Sequence, residues 1–341
     1  MSKERRRIKG ILDLVETHSV KPLSGLVAKI GVAALDDCAV IPMGSDRDLV
    51  VGSDFVRGED FHLFKKGYLS RRDIGYYLVG ANVSDLAAMG ASPIGIVVAF
   101  RYPSEMSDEE FLEVMGGVCE ACEKFSIPLL GGDTGGYPVS VLSAAALGTC
   151  PNGRALLRSR GQDGDVLFVS GDLGQAGAAL RYFNTLTAEQ RLMERVEEEI
   201  LLNSWRRVEP ALLQGCLLAE TGLSRCAIDT SDGLKVACEQ IAEASGVNVI
   251  LKEEKIPIAK LAKRVAECAG CPAIELAMGD SVDFRLVFSV APSDIKEVGR
   301  QFSERGWPMI EIGRLSRSET PGAYFETDSG LAPLPGAGWA Q

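Results

Sequence analysis

Aspartates recur in this chain at the ends of apolar runs and in turns that contain glycine or serine. The residues concerned are Asp36, Asp37, Asp54, Asp85, Asp133, Asp229 and Asp232. A carboxylate beside a hydrophobic strand is costly unless a positive group meets it. Hard oxygen ligands without histidine partners suit Mg²⁺ carrying phosphates better than they suit zinc. The pattern therefore predicts nucleotide chemistry.

Asp85 is the sharpest of these cases, because it lies on an apolar helical face. The segment Arg71–Met89 carries apolar residues such as Ile74 and Leu78 at helical spacing, and Asn82 and Asp85 fall on the same face. An ionised carboxylate there needs a cation or hydrogen-bond donors. We expect Asp85 to bind a metal ion; the alternative is a buried aspartate that caps a neighbouring helix.

Asp54 follows the strand-like run Leu49–Gly52 and Ser53, and ligands of open α/β sheets gather at the carboxyl ends of strands. Asp36 and Asp37 precede another apolar run. If this pair is extended, its two side chains point to opposite faces. We therefore expect only one of them to reach a given site and favour Asp37, with an ordinary polar turn as the alternative for Asp36.

Two further segments place aspartate beside glycine or serine after a predicted strand. In Gly-Gly-Asp-Thr at 131–134, the glycines let the backbone approach a phosphate, and Asp133 can hold a metal ion. Glycine turns are common, so this signal is weak alone. At the second junction, Ser231 or Asp232 can cap a helix, or the free N–H groups there can bind phosphate.

Other nucleotide and hydrolase signatures are missing from the sequence. It has no Gly-x-x-x-x-Gly-Lys-Ser/Thr loop and no protein-kinase motif set. Its two histidines, His18 and His62, are not accompanied by a nucleophile elbow, which disfavours Ser-His-Asp hydrolysis. Arg158 is a candidate clamp for phosphate oxygens, with a surface cation as the alternative.

The elements that would position these residues alternate strands with helices, which predicts an α/β or α+β layer structure. The predicted strands are 39–42, 49–52, 94–100, a short buried one at 129–130, 139–147, 166–170, 227–229, 247–251 and 284–290. The predicted helices are a lead-in over 1–30, then 71–89, 107–125 with a capping box at its start, 174–180, 186–207 and 231–244. A break at 149–153 predicts a first domain of residues 1–148 and a second of residues 149–341.

Composition narrows the class of protein. The formal net charge of −11 argues against a surface for nucleic acid or an anionic membrane. No apolar stretch approaches the roughly 18–20 residues that span a bilayer. Nine cysteines without a dense framework favour reduced thiols in the cytoplasm. Two Cys-x-x-Cys pairs, at 119/122 and 268/271, are interpreted as structural thiols rather than a metal site.

At several of these motifs the chain resembles thiamine-monophosphate kinases, within the superfamily of aminoimidazole ribonucleotide synthetase (PurM), selenophosphate synthetase and HypE. The resemblance spans roughly residues 26–325. It rests on Asn-Val-Ser-Asp-Leu-Ala-Ala-Met-Gly-Ala at 82–91, Ala-Ile-Asp-Thr-Ser-Asp-Gly-Leu at 227–234, the 131–134 segment and Gly-Arg-Ala-Leu-Leu-Arg-Ser at 153–159. It implies a two-domain PurM-like fold, a homodimer joined through the N-terminal sheets, and ATP in the cleft.

The resemblance also implies roles for individual residues. Those implied as Mg²⁺ ligands are Asp37, Ser53, Asp54, Asp85, Asp133, Asp229 and Asp232, of which Asp54, Asp85 and Asp232 are implied to be catalytic. Those implied to bind ATP are Gly132, Asp133, Arg158 and Ser231. Those implied to contact the acceptor are Asp60, His62, Asp283 and Tyr324. The implied reaction transfers the terminal phosphoryl group of ATP directly to thiamine monophosphate, with positioning and charge neutralisation supplying the rate.

The sequence departs from the family's pattern mainly on the acceptor side. Leu35 replaces a glycine before the aspartate pair, His62 is displaced within the 58–62 segment, Arg285 replaces an acid, and Ala211 follows Pro210 where arginine is expected. These departures leave two alternatives open. One is a paralogue that uses ATP to phosphorylate or activate a different small metabolite; the other is a non-enzymatic nucleotide-binding assembly protein.

Overall fold

The structure is a computed structural model that describes residues 3–18, 22–44, 46–279 and 281–336. The first half contains α1 (Lys3–Thr17), β1 (Ala39–Pro42), β2 (Arg47–Val56), α2 (His62–Lys65), α3 (Arg71–Ala88), β3 (Ser92–Tyr102), α4 (Asp108–Lys124), β4 (Leu129–Gly136) and β5 (Val141–Pro151). The five strands form one sheet in the order β1-β2-β5-β3-β4, antiparallel except for the pair β3–β4.

The second half forms a larger sheet with helices around it. Its elements are β6 (Val166–Val169), α5 (Gln175–Thr185), α6 (Arg195–Arg206), α7 (Leu212–Thr221), β7 (Ser224–Asp229), α8 (Leu234–Ser245), β8 (Val247–Leu251), α9 (Lys260–Ala269), α10 (Ala273–Met278), β9 (Leu286–Val290), α11 (Ile295–Glu304), β10 (Ile310–Arg317), β11 (Gly322–Thr327) and β12 (Gly330–Pro333). The strand order is β12-β11-β8-β10-β6-β9-β7. Two sheets layered with helices confirm the predicted α+β architecture.

Helix α3 is the central element of the fold. Ser70 caps it and forms a reciprocal capping box with Asp73. Most of its side chains are buried, because it packs against β2 and β5 of the first sheet, α4, and β7 of the second sheet. One core cluster runs through α3 from the first half into the second. The helix therefore places its polar residues at the junction of the two halves.

Two predicted helices are shorter than the sequence suggested. The lead-in over residues 1–30 is wrong beyond Thr17: Gly25 has φ 72, and 22–30 contains no helix, while residues 19–21 lie outside the described part of the chain. The predicted helix 186–207 is also wrong in extent. Thr187 caps a short 3-10 turn and Glu194 caps α6, so two capping boxes divide the segment.

The glycine-rich segment after Leu130 is a strand rather than a turn. Strand β4 continues through Gly136, parallel to β3, and its leucines are exposed at the sheet edge instead of buried. Gly132 allows this close pairing, since a Cβ there would lie 1.8 Å from the backbone oxygen of Val98. The prediction of a short buried strand at 129–130 followed by a turn is therefore wrong.

Within the described residues, no helix is both long enough and apolar enough to cross a bilayer.

Candidate active site

Four aspartates from distant parts of the sequence meet where α3 passes between the sheets. Asp37 precedes β1, Asp54 lies in β2, Asp85 lies on α3 and Asp229 ends β7. The charges of Asp229, Asp37 and Asp54 all raise the pKa of Asp85, which shows that the four groups share one electrostatic environment. We call these four residues the carboxylate cluster.

Burial is the main cause of the altered acidities in the cluster. It raises the pKa of Asp85 well above its usual value and raises the pKa of Asp54. It raises the pKa of Asp37 to about 7, against the opposing effect of Arg158. Ionised carboxylates in this position lack enough positive charge, so the cluster can accept a cation that compensates them.

The polar residues around the cluster hold its members in place. Asn82 donates from its amide nitrogen to the Leu78 carbonyl (2.9 Å) and accepts the Asp54 backbone N–H (3.2 Å), which ties β2 to α3. On the other side, the Ser84 hydroxyl donates to one oxygen of Asp229. The Ser231 hydroxyl donates to the other oxygen of Asp229 over 2.7 Å.

Arg158 is the cation that faces the cluster. It donates to Asp37 (2.7 Å) and to the Gln240 side-chain oxygen (2.6 Å), and it lies 3.4 Å from Asp36. The alternative of a surface cation is therefore wrong. Both Asp36 and Asp37 lie near Arg158, but only Asp37 is among the charges that raise the pKa of Asp85, so Asp37 is the member of the pair that joins the cluster.

The alternative that Ser231 or Asp232 caps a helix is wrong. Helix α8 begins at Leu234 with Gly233 as its N-cap and no side-chain cap. Ser231 and Asp232 lie in the preceding turn and line a cavity together with Ser53, Asp54 and Asp85. These two residues therefore belong to the site rather than to the helix cap.

The cavity has a volume of about 490 Å³ and two chemically different walls. Four aromatic side chains line it together with the carboxylates: Phe61, Tyr77, Trp205 and Phe284. Their rings contact one another, with centroids 4.7 Å apart for Phe61 and Trp205, 5.7 Å for Tyr77 and Trp205, and 5.6 Å for Tyr77 and Phe284. We call these four residues the aromatic wall.

Sequence reasoning missed the aromatic wall. For Tyr77 a signal existed, because it lies three residues after Ile74 on the face that carries Asp85. Trp205 and Phe284 come from separate segments, and nothing in their spacing connects them. Phe284 is buried at a left-handed φ of 51, a backbone strain that is found mainly at functional sites.

The carboxylate oxygens of the cluster are suited to bind Mg²⁺ that is already coordinated by a phosphate group. Among the residues that the structure describes, no three His, Cys, Asp or Glu side chains are close enough to form a metal site on their own. Mg²⁺ typically takes only one or two carboxylates and completes its shell with water and phosphate oxygens. One buried oxygen of Asp37 has no hydrogen-bond partner in the described part of the chain, so it is open to such an ion.

Gly132 and Asp133 are not brought to the cluster within one chain. Asp133 lies on edge strand β4, with its side chain 67% exposed and paired with Arg101. It is in register with Ala99, Ser143 and Phe55 on successive strands. Three strand spacings separate it from β2, on the order of 14 Å.

Two acceptor-side candidates, Asp60 and His62, also point away from the cavity. The Asp60 side chain is 84% exposed and pairs with Lys65 at 2.9 Å, and His62 is exposed at the start of α2. Phe61, between them, is the residue that lines the cavity.

Comparison with known proteins places the chain in a family. The model of the AIR synthase related protein N-terminal domain matches residues 35–150, and that of the C-terminal domain matches residues 162–325. A thiamine-monophosphate kinase from Rhodopirellula baltica is 30% identical over 297 residues, which cover 84% of each chain. The chain belongs to the thiamine-monophosphate kinase family.

Two further relatives support this membership. The thiamine-monophosphate kinase of Bacillus subtilis is 29% identical over 314 residues, covering 91% of this chain and 93% of that protein. A solved structure described as AaThiL complexed with AMPPCP and TMP superposes with a TM-score of 0.78 at 24% identity, covering 97% of this chain and 95% of that one. The whole two-domain fold is therefore that of the thiamine-monophosphate kinases.

In this member of the thiamine-monophosphate kinase family, Asp283 forms hydrogen bonds at the start of α5 and does not line the cavity. Its carboxylate accepts the backbone N–H groups of Gly174 (2.5 Å) and Ala176 (3.0 Å) and the hydroxyl of Ser281. Gly174 is the N-cap of α5 and Ala176 lies in its first turn, so Asp283 caps that helix. Tyr324 lies on β11 in the second sheet and does not line the cavity.

The other departures from the family pattern have local explanations. Arg285 lies beside the backbone oxygens of Asp172 (3.4 Å) and Glu209 (3.5 Å) rather than on the cavity wall, and Ala211 is buried before α7. Leu35, in the place of the family's glycine, has a left-handed φ of 50. The backbone thus keeps a conformation that glycine adopts more easily.

Proposed function

We propose that this chain is an ATP- and Mg²⁺-dependent kinase that converts thiamine monophosphate to thiamine diphosphate. The observation that carries the proposal is the cavity that the aromatic wall lines together with Asp54, Asp85 and Asp232. Thiamine is a flat, cationic heteroaromatic molecule, and aromatic rings attract such cations. The family membership and the relative solved with AMPPCP and TMP support the same substrates.

The reaction breaks the bond between the terminal phosphorus of ATP and the ADP oxygen and forms a bond to a phosphate oxygen of thiamine monophosphate. Bound Mg²⁺ would neutralise the phosphate oxygens during this transfer. Asp37, Asp54 and Asp85 would supply one or two carboxylate ligands to each bound ion, with water and phosphate oxygens completing its shell. The aromatic wall would orient the acceptor and exclude water from the buried side of the cavity. Ionised carboxylates repel free phosphate, so they favour its complex with the metal ion.

Ser53, Asp229 and Asp232 complete the proposed metal-facing set, while Arg158 and Ser231 are the proposed ATP contacts. Arg158 already faces Asp37, and its guanidinium has donors beyond those used by Asp37 and Gln240. The cytoplasm is the proposed compartment, because the reaction consumes ATP.

A homodimer is also part of the proposal. The open face of the first sheet exposes apolar side chains, among them Phe55, Ile94, Val97, Leu130 and Val141. Asp133 lies on this same face, in register with Phe55. A second copy packed there would bury the patch and would give Gly132 and Asp133 a way to reach a nucleotide. Sedimentation should show a dimer for the natural chain and a monomer for Val97→Glu; a monomeric natural chain contradicts the dimer.

The decisive experiment incubates the purified chain with ATP, Mg²⁺ and thiamine monophosphate. Thiamine diphosphate is quantified by chromatography after oxidation to its fluorescent thiochrome. We expect one ADP per thiamine diphosphate and no product with Asp85→Asn. Intact thiamine monophosphate after prolonged incubation would refute the acceptor.

The structure also motivates an alternative proposal, in which a compound other than thiamine monophosphate accepts the phosphoryl group. Asp60, His62 and Asp283 do not face the cavity, although the family pattern associates these positions with the acceptor. The same assay with a panel of phosphate monoesters and carboxylates, monitored by ADP release, distinguishes the two. Faster turnover of another compound would favour the paralogue, and binding of ATP without turnover of any compound would favour an assembly protein.

A further inference from the structure

A second cavity, of about 650 Å³, lies at the other end of β7 from the carboxylate cluster. The segment joining β5 to β6 and the junction between α7 and β7 form its walls. Arg225 stands near the start of β7 and Asp229 ends it, a separation on the order of 13 Å along the strand. The two cavities have no lining residue in common.

The walls of this cavity are positively charged in an acidic protein. Arg154, Arg160 and Arg225 line it, and no Asp or Glu is among its lining residues. The whole chain, by contrast, has 47 acidic and 36 basic residues. A local excess of three arginines in a concave space is the arrangement that recognises an anion.

Two acids close in sequence to the cavity residues, Glu220 and Asp165, have other partners. The Glu220 side chain lies 3.1 Å from Arg47, and it is the backbone oxygen of Glu220 that accepts from Arg154, over 2.6 Å. Asp165 accepts the hydroxyl of Ser289 at 2.8 Å. Neither acid lines the cavity. Asp36 does not line it either: burial raises its pKa, against the opposing charges of Arg158 and Arg160, and it lies 3.4 Å from Arg158.

The three guanidinium groups retain donors for a ligand. Arg154 lies against Gly222, where a Cβ would be 3.3 Å from it, and Arg160 donates to the carbonyl oxygens of Gly153 and Ala155 at 3.1 and 3.3 Å. Arg225 is exposed. Across the described residues, none of the three forms an ion pair with a carboxylate. Each guanidinium carries five N–H donors, so most remain available.

We propose that this arginine cavity binds a small phosphate-bearing anion, such as a nucleoside diphosphate or pyrophosphate, at a site separate from the kinase centre. Planar guanidinium groups bind phosphate oxygens in pairs of hydrogen bonds, and three of them suit two linked phosphates. The hydroxyl of Ser159 on the same wall offers a further donor. The proposal does not depend on the kinase activity.

Calorimetry with inorganic pyrophosphate in EDTA tests the site. Without a divalent ion the carboxylate cluster repels phosphate, so binding under these conditions reports on the arginine cavity. We expect one pyrophosphate per chain, and at least about tenfold weaker binding by Arg225→Gln and by the double variant Arg160→Gln/Arg225→Gln, because each loses charge-assisted hydrogen bonds. The exposed Arg195→Gln on α6 serves as the matched control and should bind normally.

Each outcome decides the proposal. ADP competing with pyrophosphate at one shared site supports it, and the thermal midpoints of the variants show that they are folded. No binding of pyrophosphate or ADP in EDTA, or equal affinity in Arg225→Gln and the natural chain, overturns it. A single-stranded oligonucleotide that binds more tightly than either small anion also overturns it, since it would assign the arginines to nucleic acid.

Discussion

The guanidinium group of Arg158 lies 2.7 Å from a carboxylate oxygen of Asp37, a residue 121 positions away. This ion pair joins the turn before β1 to the segment that leads into the second sheet. It partly offsets the burial that raises the pKa of Asp37 to about 7. The acid–base state of the site is therefore linked to the stability of the chain.

Stability in EDTA should fall as the pH rises from about 4 to about 7. Asp37 has a higher pKa folded (about 7) than its usual 3.8, so the folded chain holds a proton that the unfolded chain releases. The stability that protonated Asp37 contributes is fully present below pH 3.8 and is lost as the pH rises through about 7. The loss is up to about 1.4 kcal/mol per pH unit. Thermal midpoints across this range measure it.

Asp37→Asn should reduce this slope, because asparagine does not titrate. Part of the slope should remain, since burial also raises the pKa values of Asp36, Asp54 and Asp85. The exposed Asp13→Asn is the control and should keep the full slope. An Asp37→Asn protein with an unchanged slope would contradict the assignment.

Asp85→Asn should raise the thermal midpoint of the metal-free protein and abolish Mg²⁺-dependent ATP binding, while the chain stays folded. The substitution removes a carboxylate that burial and the charges of Asp229, Asp37 and Asp54 make costly to ionise. Calorimetric titration with ATP and Mg²⁺ measures the loss. Asp60→Asn, at an exposed carboxylate, should bind ATP normally, and normal ATP affinity in Asp85→Asn would argue against a metal role.

Phe61→Ala should raise the KM for the acceptor about three- to tenfold and leave the KM for ATP unchanged. The residue belongs to the aromatic wall, and a lost ring contact with a cation is worth about 0.5–1 kcal/mol or more. His62→Ala, one position along the chain but outside the cavity, is the control. If His62→Ala had the larger effect on the acceptor KM, the orientation of this segment would be wrong.

Asp283→Ala should destabilise the chain by about 1–2 kcal/mol through loss of the α5 cap. Denaturant unfolding measures this change. Asp283→Asn should recover part of the stability, because its amide oxygen can still accept one N–H. A change in acceptor KM with unaltered stability would instead assign Asp283 to the substrate.

Leu35→Gly should stabilise the folded chain by up to about 1 kcal/mol. The left-handed φ of 50 costs leucine roughly 1–2 kcal/mol. Glycine relieves this strain, but its greater flexibility in the unfolded chain offsets about half of the gain in stability. Leu35→Ala keeps the strained backbone and should show no such gain. Equal unfolding free energies for the glycine and alanine variants would rule out strain at this position.

Local signals made the helices around the site predictable. Helix α3 was expected from apolar spacing and α4 from the capping box that Ser107 forms with Glu110, and both are confirmed to within one residue at their ends. Strand β1 has the predicted limits because its alternation is carried by its own residues. The burial of Asp85 was also predictable, because its spacing places it on the apolar face of α3.

The features that the sequence did not predict depend on contacts between residues that are far apart in the chain. Strand β4 consists largely of glycines and obtains its structure from hydrogen bonds to β3, so nothing in its own side chains predicts a strand. The meeting of Asp36 and Asp37 at Arg158 depends on a turn with a left-handed leucine, which sequence reasoning does not assign. The aromatic wall is assembled from four segments that have no shared periodicity.

The hydroxyl of Ser84 in the first half donates to Asp229 at the end of a strand of the second. Beside this contact, Asp85 of the first half and Asp229 of the second repel each other when both are ionised. A divalent ion between them would convert that repulsion into cohesion, so the rigidity of the whole molecule would follow the magnesium supply. Resistance to proteolysis and compactness in solution would then report whether a divalent ion is bound between the two halves, without any measurement of turnover.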